Sequence, residues 1–513
     1  MGRINLLAGF FTVGLWTMAS RVLGFVRDIL IANFFGSSAT AEAFQVAFSL
    51  PNMFRRFFAE GAFNMAFVPM LSKRLEADEN AQSFAQNALA CLASVLFVLT
   101  LIAHLFMPWF VLAMASGFQG DERFDLAVEF GRICFPYIFF ISLAALFSGI
   151  LNALGRFAAA AAAPVLLNII LVGFMTYAWA MGWDIARALS WGVPVAGVAQ
   201  LALVWFAAHK AGITLKPSLP CWTPEIKRLA IIAAPAALAG GVVQVNLLVG
   251  RQVASFFDGA IQWLAVADRL YQLPLGVIGI AIGVVLLPDL SRKLQAADTA
   301  GGRHAFNRAS EFALALTLPA TVGLITVPLA VVSVLFERGA FTAQDSTATA
   351  AALAIYAAGL PAFVLQKVFQ PLYFAREDTR TPFRFALVAM VINAVVAIGL
   401  APVIGYLGAA VGTTVSSITM TVLLYRGTRH MGEAAAFDDQ FTRALPRMIG
   451  AALIMAAVTY SLGLALDPWL FSETIRYGAL ALLIILSIAT YFAACFALGA
   501  FTPGTLRKMV KRG

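Results

Sequence analysis

Fourteen apolar runs, each long enough to cross a bilayer as a helix, fill this chain almost end to end. They fall at 5–33, 40–71, 84–114, 124–153, 157–182, 187–209, 228–256, 260–288, 309–335, 345–374, 382–401, 404–425, 446–466 and 474–500. In hydrocarbon a spanning segment must satisfy its own backbone N–H and C=O groups, so runs of this length form helices. The predicted fold class is an all-α polytopic membrane protein. Only 12% of the 513 residues are charged, about half the share usual in soluble domains, which leaves no polar stretch for a soluble domain. The first run is too long and too charged for a cleavable signal peptide.

An even number of spans puts both termini on one side. The loops then alternate sharply in charge. One set holds Lys73, Arg74, Arg156, Lys210, Lys216, Lys227, Arg228, Arg292, Lys293, Arg303, Arg308, Arg376, Arg380, Arg384, Arg426, Arg429, Arg443 and Arg447; Arg3 and the basic tail from Arg507 to Arg512 share its side. The other set holds Arg123, Arg187, Arg338 and Arg476. Positive charge marks the cytoplasmic side, so the first set and both termini are predicted there. Loop arginines such as Arg303 and Arg429 are then expected to be exposed and to serve topology only. The net charge of +9 is accounted for in this way and does not call for nucleic acid.

A tandem repeat organises the spans. Pro69-Met70-Leu71-Ser72-Lys73-Arg74-Leu75-Glu76-Ala77 matches Pro288-Asp289-Leu290-Ser291-Arg292-Lys293-Leu294-Gln295-Ala296, a shift of 219 residues. Pro136, Asn152 and Asn168 correspond to Pro361, Glu377 and Asn393 at a shift of 225. A unit of six spans keeps its orientation when duplicated. The expected plan is two parallel lobes related by a pseudo-twofold axis along the membrane normal, with a cavity between them. The lobes are 1–215 (helices 1–6) and 216–435 (helices 7–12), followed by 436–513 with two further helices and a basic tail.

Charge inside the apolar runs is concentrated in residues 20–73. Arg21, Arg27, Arg55 and Arg56 would together cost about 10–14 kcal/mol on membrane-insertion scales, comparable to the whole stability of an ordinary domain. They persist only beside water, a counter-charge or a ligand. Ser20, Arg21, Gly24, Arg27 and Asp28 fall at helical steps of three and four, and so do Glu42, Gln45, Ser49, Asn52, Arg56 and Glu60. Pro51 interrupts the second helix. Two polar stripes with a basic excess predict a cationic cavity; the plainer alternative is a set of ion pairs locking two helices together. The second half carries Asp268-Arg269 before Gln272, Gly276, Gly279 and Gly283 at the equivalent place, with Lys367 on span ten. Arg251 either faces the same cavity or snorkels. Gly408-x-x-x-Gly412 is a helix-packing motif.

The chemistry of an enzyme is missing. The four histidines and four cysteines are scattered without metal spacing, there is no phosphate-cradling G-x-x-x-x-G-K-[ST] motif, and no nucleophile or acid–base constellation assembles. Glu377-Asp378 reads as a helix-end turn. No cofactor and no metal is expected.

The runs S-R-x-L-G-F-x-R-D, L-P-N-x-x-R-R-x-F-A-E-G-A-F-x-x-A-F-V-P and A-D-R-L…P-x-G-x-x-G-x-A-x-G…L-L-P-x-L-S resemble the bacterial lipid II flippase family MurJ (MviN), of the multidrug/oligosaccharidyl-lipid/polysaccharide exporter superfamily. Lys367, Pro371, Tyr373, Arg376, Asp378, Thr381 and Pro382 fit it too. The resemblance implies a two-lobed, fourteen-helix transporter of the bacterial inner membrane. Such a transporter moves undecaprenyl-diphosphate-linked peptidoglycan precursor from the cytoplasmic to the periplasmic leaflet by alternating access. It assigns substrate contact to Arg21, Arg27, Asp28, Arg55, Arg56 and Arg269, with Ser20, Gly24, Glu42, Asn52, Glu60, Asp268 and Lys367 in support. Guanidiniums hold phosphate oxygens bidentately, so two first-half arginines and Arg269 would clamp a diphosphate at the lobe interface. Helices 13 and 14 resemble the family's groove for the polyprenyl tail. Expected partners are lipid II, membrane lipids and cell-wall synthesis or division proteins. A sodium site of some relatives is not carried over, because 229–250 and 382–425 hold no acid. The competing functions are a flippase for another undecaprenyl-linked glycan, a drug exporter of the same fold, and a membrane polyprenyl-phosphate transferase. Drug exporters usually lack such an arginine-rich first lobe, and the transferase would need metal-positioning acids at a membrane face.

In a cysteine-free background, Ala300→Cys should react with an impermeant thiol reagent only from the cytoplasm, and a cysteine at position 119 only from the periplasm. Periplasmic labelling of position 300 would overturn the predicted topology.

Overall fold

A computed structural model describes residues 6–55, 62–77, 80–216, 218–296, 298–472 and 474–501. Their α-helices run in chain order: α1 (Leu6–Phe35), α2 (Ala39–Arg55), α3 (Ala62–Glu76), α4 (Ala81–Leu105), α5 (Met107–Met114), α6 (Glu122–Cys134), α7 (Tyr137–Ala153), α8 (Ala158–Met181) and α9 (Ile185–Lys210). There follow α10 (Pro224–Ala254), α11 (Ala260–Gln295), α12 (Thr299–Thr326), α13 (Pro328–Phe336), α14 (Ala343–Phe374), α15 (Arg380–Ile404), α16 (Leu407–Thr428), α17 (Asp439–Leu470) and α18 (Arg476–Ala497). Each of the fourteen predicted spans meets a helix or a consecutive pair of helices. Among the described residues, ten helical segments are long and apolar enough to cross a membrane.

The pairs have a common cause. Spans three, four and nine are each broken once, after Phe106, at Phe135-Pro136 and after Val327. Pro108 and Pro328 occupy the first turn of α5 and α13, where the missing N–H leaves nothing unsatisfied. Pro51, expected to interrupt its helix, instead lies inside α2, which continues to Arg55. The side chain of Asn52 donates to the Phe48 carbonyl there at 2.7 Å.

Packing separates two compact units, Met1–Gln262 and Trp263–Gly513. Within the first, α8 packs between α1 and α9, α7 lies on α9, and α2 lies on α6. α10, which the repeat places at the head of the second half, also packs here, against α3. Polar bonds at its end fix it. Gln252 accepts from the N–H and hydroxyl of Ser116 (2.9 and 2.7 Å) and donates to the carbonyls of Leu112 and Ala113. Gly117 donates to Ser255 Oγ at 3.0 Å, and a Cβ on Gly117 would stand 2.5 Å from the Ser255 backbone.

Within the second unit, α14 packs on α12 and α16, and α15 on α16. Its core gathers Phe306, Val364, Phe369, Leu372, Tyr373 and Leu424, all fully buried. The extra pair α17–α18 is docked on α12 through the segment before α17. Phe437 stacks on Phe441 (4.3 Å between centroids), Phe306 (5.4 Å) and Tyr425 (5.7 Å). Arg308 joins Glu311 (2.6 Å) to Asp438 (2.7 Å), and Asn307 donates to the Ala436 carbonyl while accepting from Asp438 N–H. Arg303, expected as an exposed loop residue, is half-buried on α12 and donates to the Phe437 carbonyl at 2.8 Å. The helix extends further into the supposed loop than the apolar run alone indicates. Arg429 is exposed as expected, over the Tyr425 ring. Glu377-Asp378 forms the expected turn. Glu377 sits at φ +60°, and Asp378 accepts from Thr381 N–H at 2.9 Å. The Thr381 hydrogen bonds hold the Asp378 carboxyl below its ordinary range.

Gly408 and Gly412 make the close helix approach their spacing predicts. A Cβ at Gly408 would meet the Ala397 carbonyl at 2.9 Å, and one at Gly412 the Asn393 side chain at 2.7 Å. Gly399, also in this helix pair, has nothing within 4 Å. Gly412→Val should therefore destabilise by about 1–3 kcal/mol through overpacking, whereas Gly399→Ala should be near neutral. Melting temperature and membrane abundance of the two variants check this.

Candidate functional site

The α1 stripe in the first unit is organised by one residue of α8. Ser20, Gly24 and Arg27, one face of α1, all meet Asn168. The Asn168 amide nitrogen donates to the Ser20 carbonyl at 3.0 Å, and its oxygen accepts from Arg27 Nη1 at 3.0 Å. A Cβ on Gly24 would lie 3.5 Å from the same amide, so the glycine lets the side chain lie along the α1 backbone. Arg27 also donates through Nε and Nη2 to Asp28 Oδ1, at 3.0 and 2.7 Å. Its Cζ lies 5.5 Å from the Phe48 ring centroid, which ties α1 to α2. Arg27 is only 7% exposed. Its guanidinium carries five N–H groups, and three are committed among the described residues.

Arg21 is half-buried on the same helix and has no hydrogen-bond or ion-pair partner among the described residues. Arg55 is the half-buried last residue of α2. Arg56 and Glu60 lie outside the described residues. Gln45 on α2 donates to Gln262 at 3.0 Å.

Glu42, expected beside the cavity, is instead 1% exposed and joined to Arg123 of α6 at 3.1 Å. Its other oxygen accepts the Ile261 N–H at 2.9 Å, in the opening turn of α11, where a helix N-terminus favours negative charge. Arg123 in turn binds Asp121 and Asp258 (2.9 Å), and its Cζ stands 4.7 Å from the Phe118 ring centroid. Burial raises the Asp121 carboxyl, but the Arg123 hydrogen bonds and charge outweigh it and hold the group below its ordinary value. This network is an ion-pair lock between α2 and α6 rather than between the two stripe-bearing helices, and it engages Glu42. Arg123 showed in the sequence only as a sparse loop charge, because its partner lies 81 residues away.

In the second unit Asp268 and Arg269 are half-buried neighbours on α11, and Gln272 donates to Asp268 from the next turn. Tyr271 packs on Tyr356 (5.1 Å) and Phe363 (5.7 Å) beside them. Lys367 is exposed on α14. In each unit at least one arginine lies within an apolar helix, and a guanidinium is suited to a compact, multiply charged anion.

A lipid II flippase MurJ family profile matches residues 31–496. The probable lipid II flippase MurJ of Rhizobium meliloti (strain 1021) is 43% identical over 523 aligned residues, covering 99% of this chain and 97% of its own. A lipid II flippase MurJ structure in an inward closed conformation shares the fold with a TM-score of 0.80 at 24% identity, covering 97% of this chain and 99% of its own. An inward-facing multidrug resistance MATE family transporter of the MOP superfamily follows with a TM-score of 0.65 at 14% identity, covering 81% of this chain and 95% of its own.

Arg123→Ala would strand the buried Glu42 carboxylate and should cost about 3–5 kcal/mol. Asp258→Asn, whose side chain is 91% exposed, should cost less than about 1 kcal/mol. Thermal melting of the purified variants checks the contrast; equal losses would show that the network is not what holds α2 to α6.

Proposed function

We infer the function from one premise: the chain belongs to the lipid II flippase MurJ family. It is a multi-pass membrane transporter, and its substrate is lipid II. Transport runs from the cytoplasmic to the periplasmic leaflet of the bacterial inner membrane, with both termini cytoplasmic, and involves no chemical step. The halves 1–215 and 216–435 alternate access, and 436–513 provides the path for the polyprenyl tail. Its helices α17 and α18 join through a buried Thr459–Ser487 hydrogen bond of 2.8 Å and expose Leu453, Leu464 and Ile485. Cell-wall synthesis or division proteins are the further partners.

The observation that carries this on the chain's own residues is Arg27. A guanidinium this buried, held on one edge by Asp28 and with N–H groups to spare, is set to take phosphate oxygens. Arg21, Arg55, Arg56 and Arg269 are the other contacts we assign to the diphosphate. Arg269 neighbours Asp268 on α11, and an adjacent carboxylate moderates the cost of holding a guanidinium in apolar surroundings between substrates.

Depletion of the protein should accumulate lipid II at the inner leaflet; accumulation of a different undecaprenyl-linked glycan would overturn the assignment. Arg21→Ala, Arg27→Ala and Arg55→Ala should fail to support growth while accumulating normally, and exposed Arg429→Ala should support it. Arg269→Lys keeps the charge but loses the planar fork, so it should be impaired, with Arg269→Ala worse and Arg269→Glu inactive. Loss of the cavity variants from the membrane would favour a purely structural role.

A further inference from the structure

We propose that Asn168 is a positioning residue for the diphosphate-binding guanidinium: it sets the plane of Arg27 from α8 and thereby tunes substrate affinity. This rests on the assignment of Arg27 to the substrate made above. In the sequence Asn168 is only one of several positions matched between the halves. The structure puts it, 5% exposed, against the one face of α1 that carries Ser20, Gly24 and Arg27.

The orientation of its amide is determined by its neighbours. Around Nδ2 stand three acceptors: the Ser20 carbonyl at 3.0 Å, the Ser20 hydroxyl at 3.4 Å and the Pro164 carbonyl at 3.3 Å. A flipped amide would turn its oxygen onto those carbonyls and its NH2 onto a cation. Oδ1 therefore points at Arg27, 141 residues away in sequence. Asp28 alone fixes only the Nε/Nη2 edge and leaves the guanidinium free to swing about it. Asn168 supplies the second point, on Nη1, and the Phe48 ring lies 5.5 Å from Cζ. Two points define the plane in which the remaining N–H groups are offered. A neutral amide does this without adding a second negative charge, which would compete with an anionic ligand. Preorganisation of this kind lowers the ordering cost of binding.

The test uses the purified full-length chain in nanodiscs, with lipid II as the probe and Kd and melting temperature as readouts. Asn168→Leu keeps an apolar contact between α1 and α8 but removes every hydrogen bond of the amide, and should raise Kd roughly tenfold or more. Asn168→Asp, nearly isosteric, guards against a folding failure of the leucine variant. Its carboxylate would engage Arg27 as a charge and should also weaken binding roughly tenfold or more. In an Arg27→Lys background, which has no fork to orient, Asn168→Leu should change Kd less than twofold; this non-additivity separates positioning from helix packing. A lowered melting temperature with wild-type Kd in both Asn168 variants would overturn the proposal and leave Asn168 as a packing residue. Wild-type Kd in Arg27→Ala would overturn both the substrate role of Arg27 and the function given to Asn168. A loss in Arg27→Ala beside wild-type binding in the Asn168 variants would overturn the latter alone.

Discussion

A guanidinium removed from water must find acceptors, and the way each arginine finds them divides this molecule into framework and site. Arg123 is surrounded by Glu42, Asp121 and Asp258, three carboxylates about one positive charge. It joins α2 to α6 and, through Glu42, to the first turn of α11. Arg308 is similarly absorbed by Glu311 and Asp438. Arg27 is buried to a similar degree but meets one carboxylate and one amide. The framework arginines face two or three carboxylates each, whereas Arg27 faces one. That difference in counter-charge, rather than burial, sets Arg27 apart from the framework arginines.

The spans were legible because length and apolarity are local properties. Several breaks were not: a proline in a first turn, as at Pro108 and Pro328, starts a new helix, while Pro51 and Pro361 are absorbed within continuous ones. Composition does not separate these cases. The polar stripes were legible as periodicity, yet periodicity cannot say what a stripe faces. Glu42 read as a cavity acid because Arg123 is remote in sequence, and Arg303 read as a loop charge because α12 begins before its apolar run. Asn168 gave no chemical signal at all, since a lone asparagine in an apolar helix acquires meaning only from the carbonyls and the guanidinium beside it.

The duplicated halves keep a plan and vary its details. The matched nine-residue motif ends α3 in one copy and α11 in the other, with Lys73-Arg74 and Arg292-Lys293 in the last helical turns. Basic residues there complement the negative end of a helix dipole as well as marking a membrane side. Their neighbours differ. Arg74 lies over the Phe84 ring and 3.6 Å from Glu225, whereas Lys293 pairs with Asp289 one turn back. Gln252 and Ser255 belong to no pattern shared between the copies, and they are what bind the end of α10 into the first unit.

The docking of α17 on α12 has a mechanical consequence. The segment between α16 and α17 could have been a slack tether, leaving the last two helices to drift in the bilayer. Instead Phe437 is wedged among Phe306, Tyr425 and Phe441, and three consecutive carbonyl or carboxylate positions, Ala436, Phe437 and Asp438, are gripped by Asn307, Arg303 and Arg308. The last pair is thereby riveted to the second unit as a fin is to a hull. Whatever displaces the second unit therefore carries α17 and α18 with it, and the exposed apolar face of that pair cannot move independently of the unit.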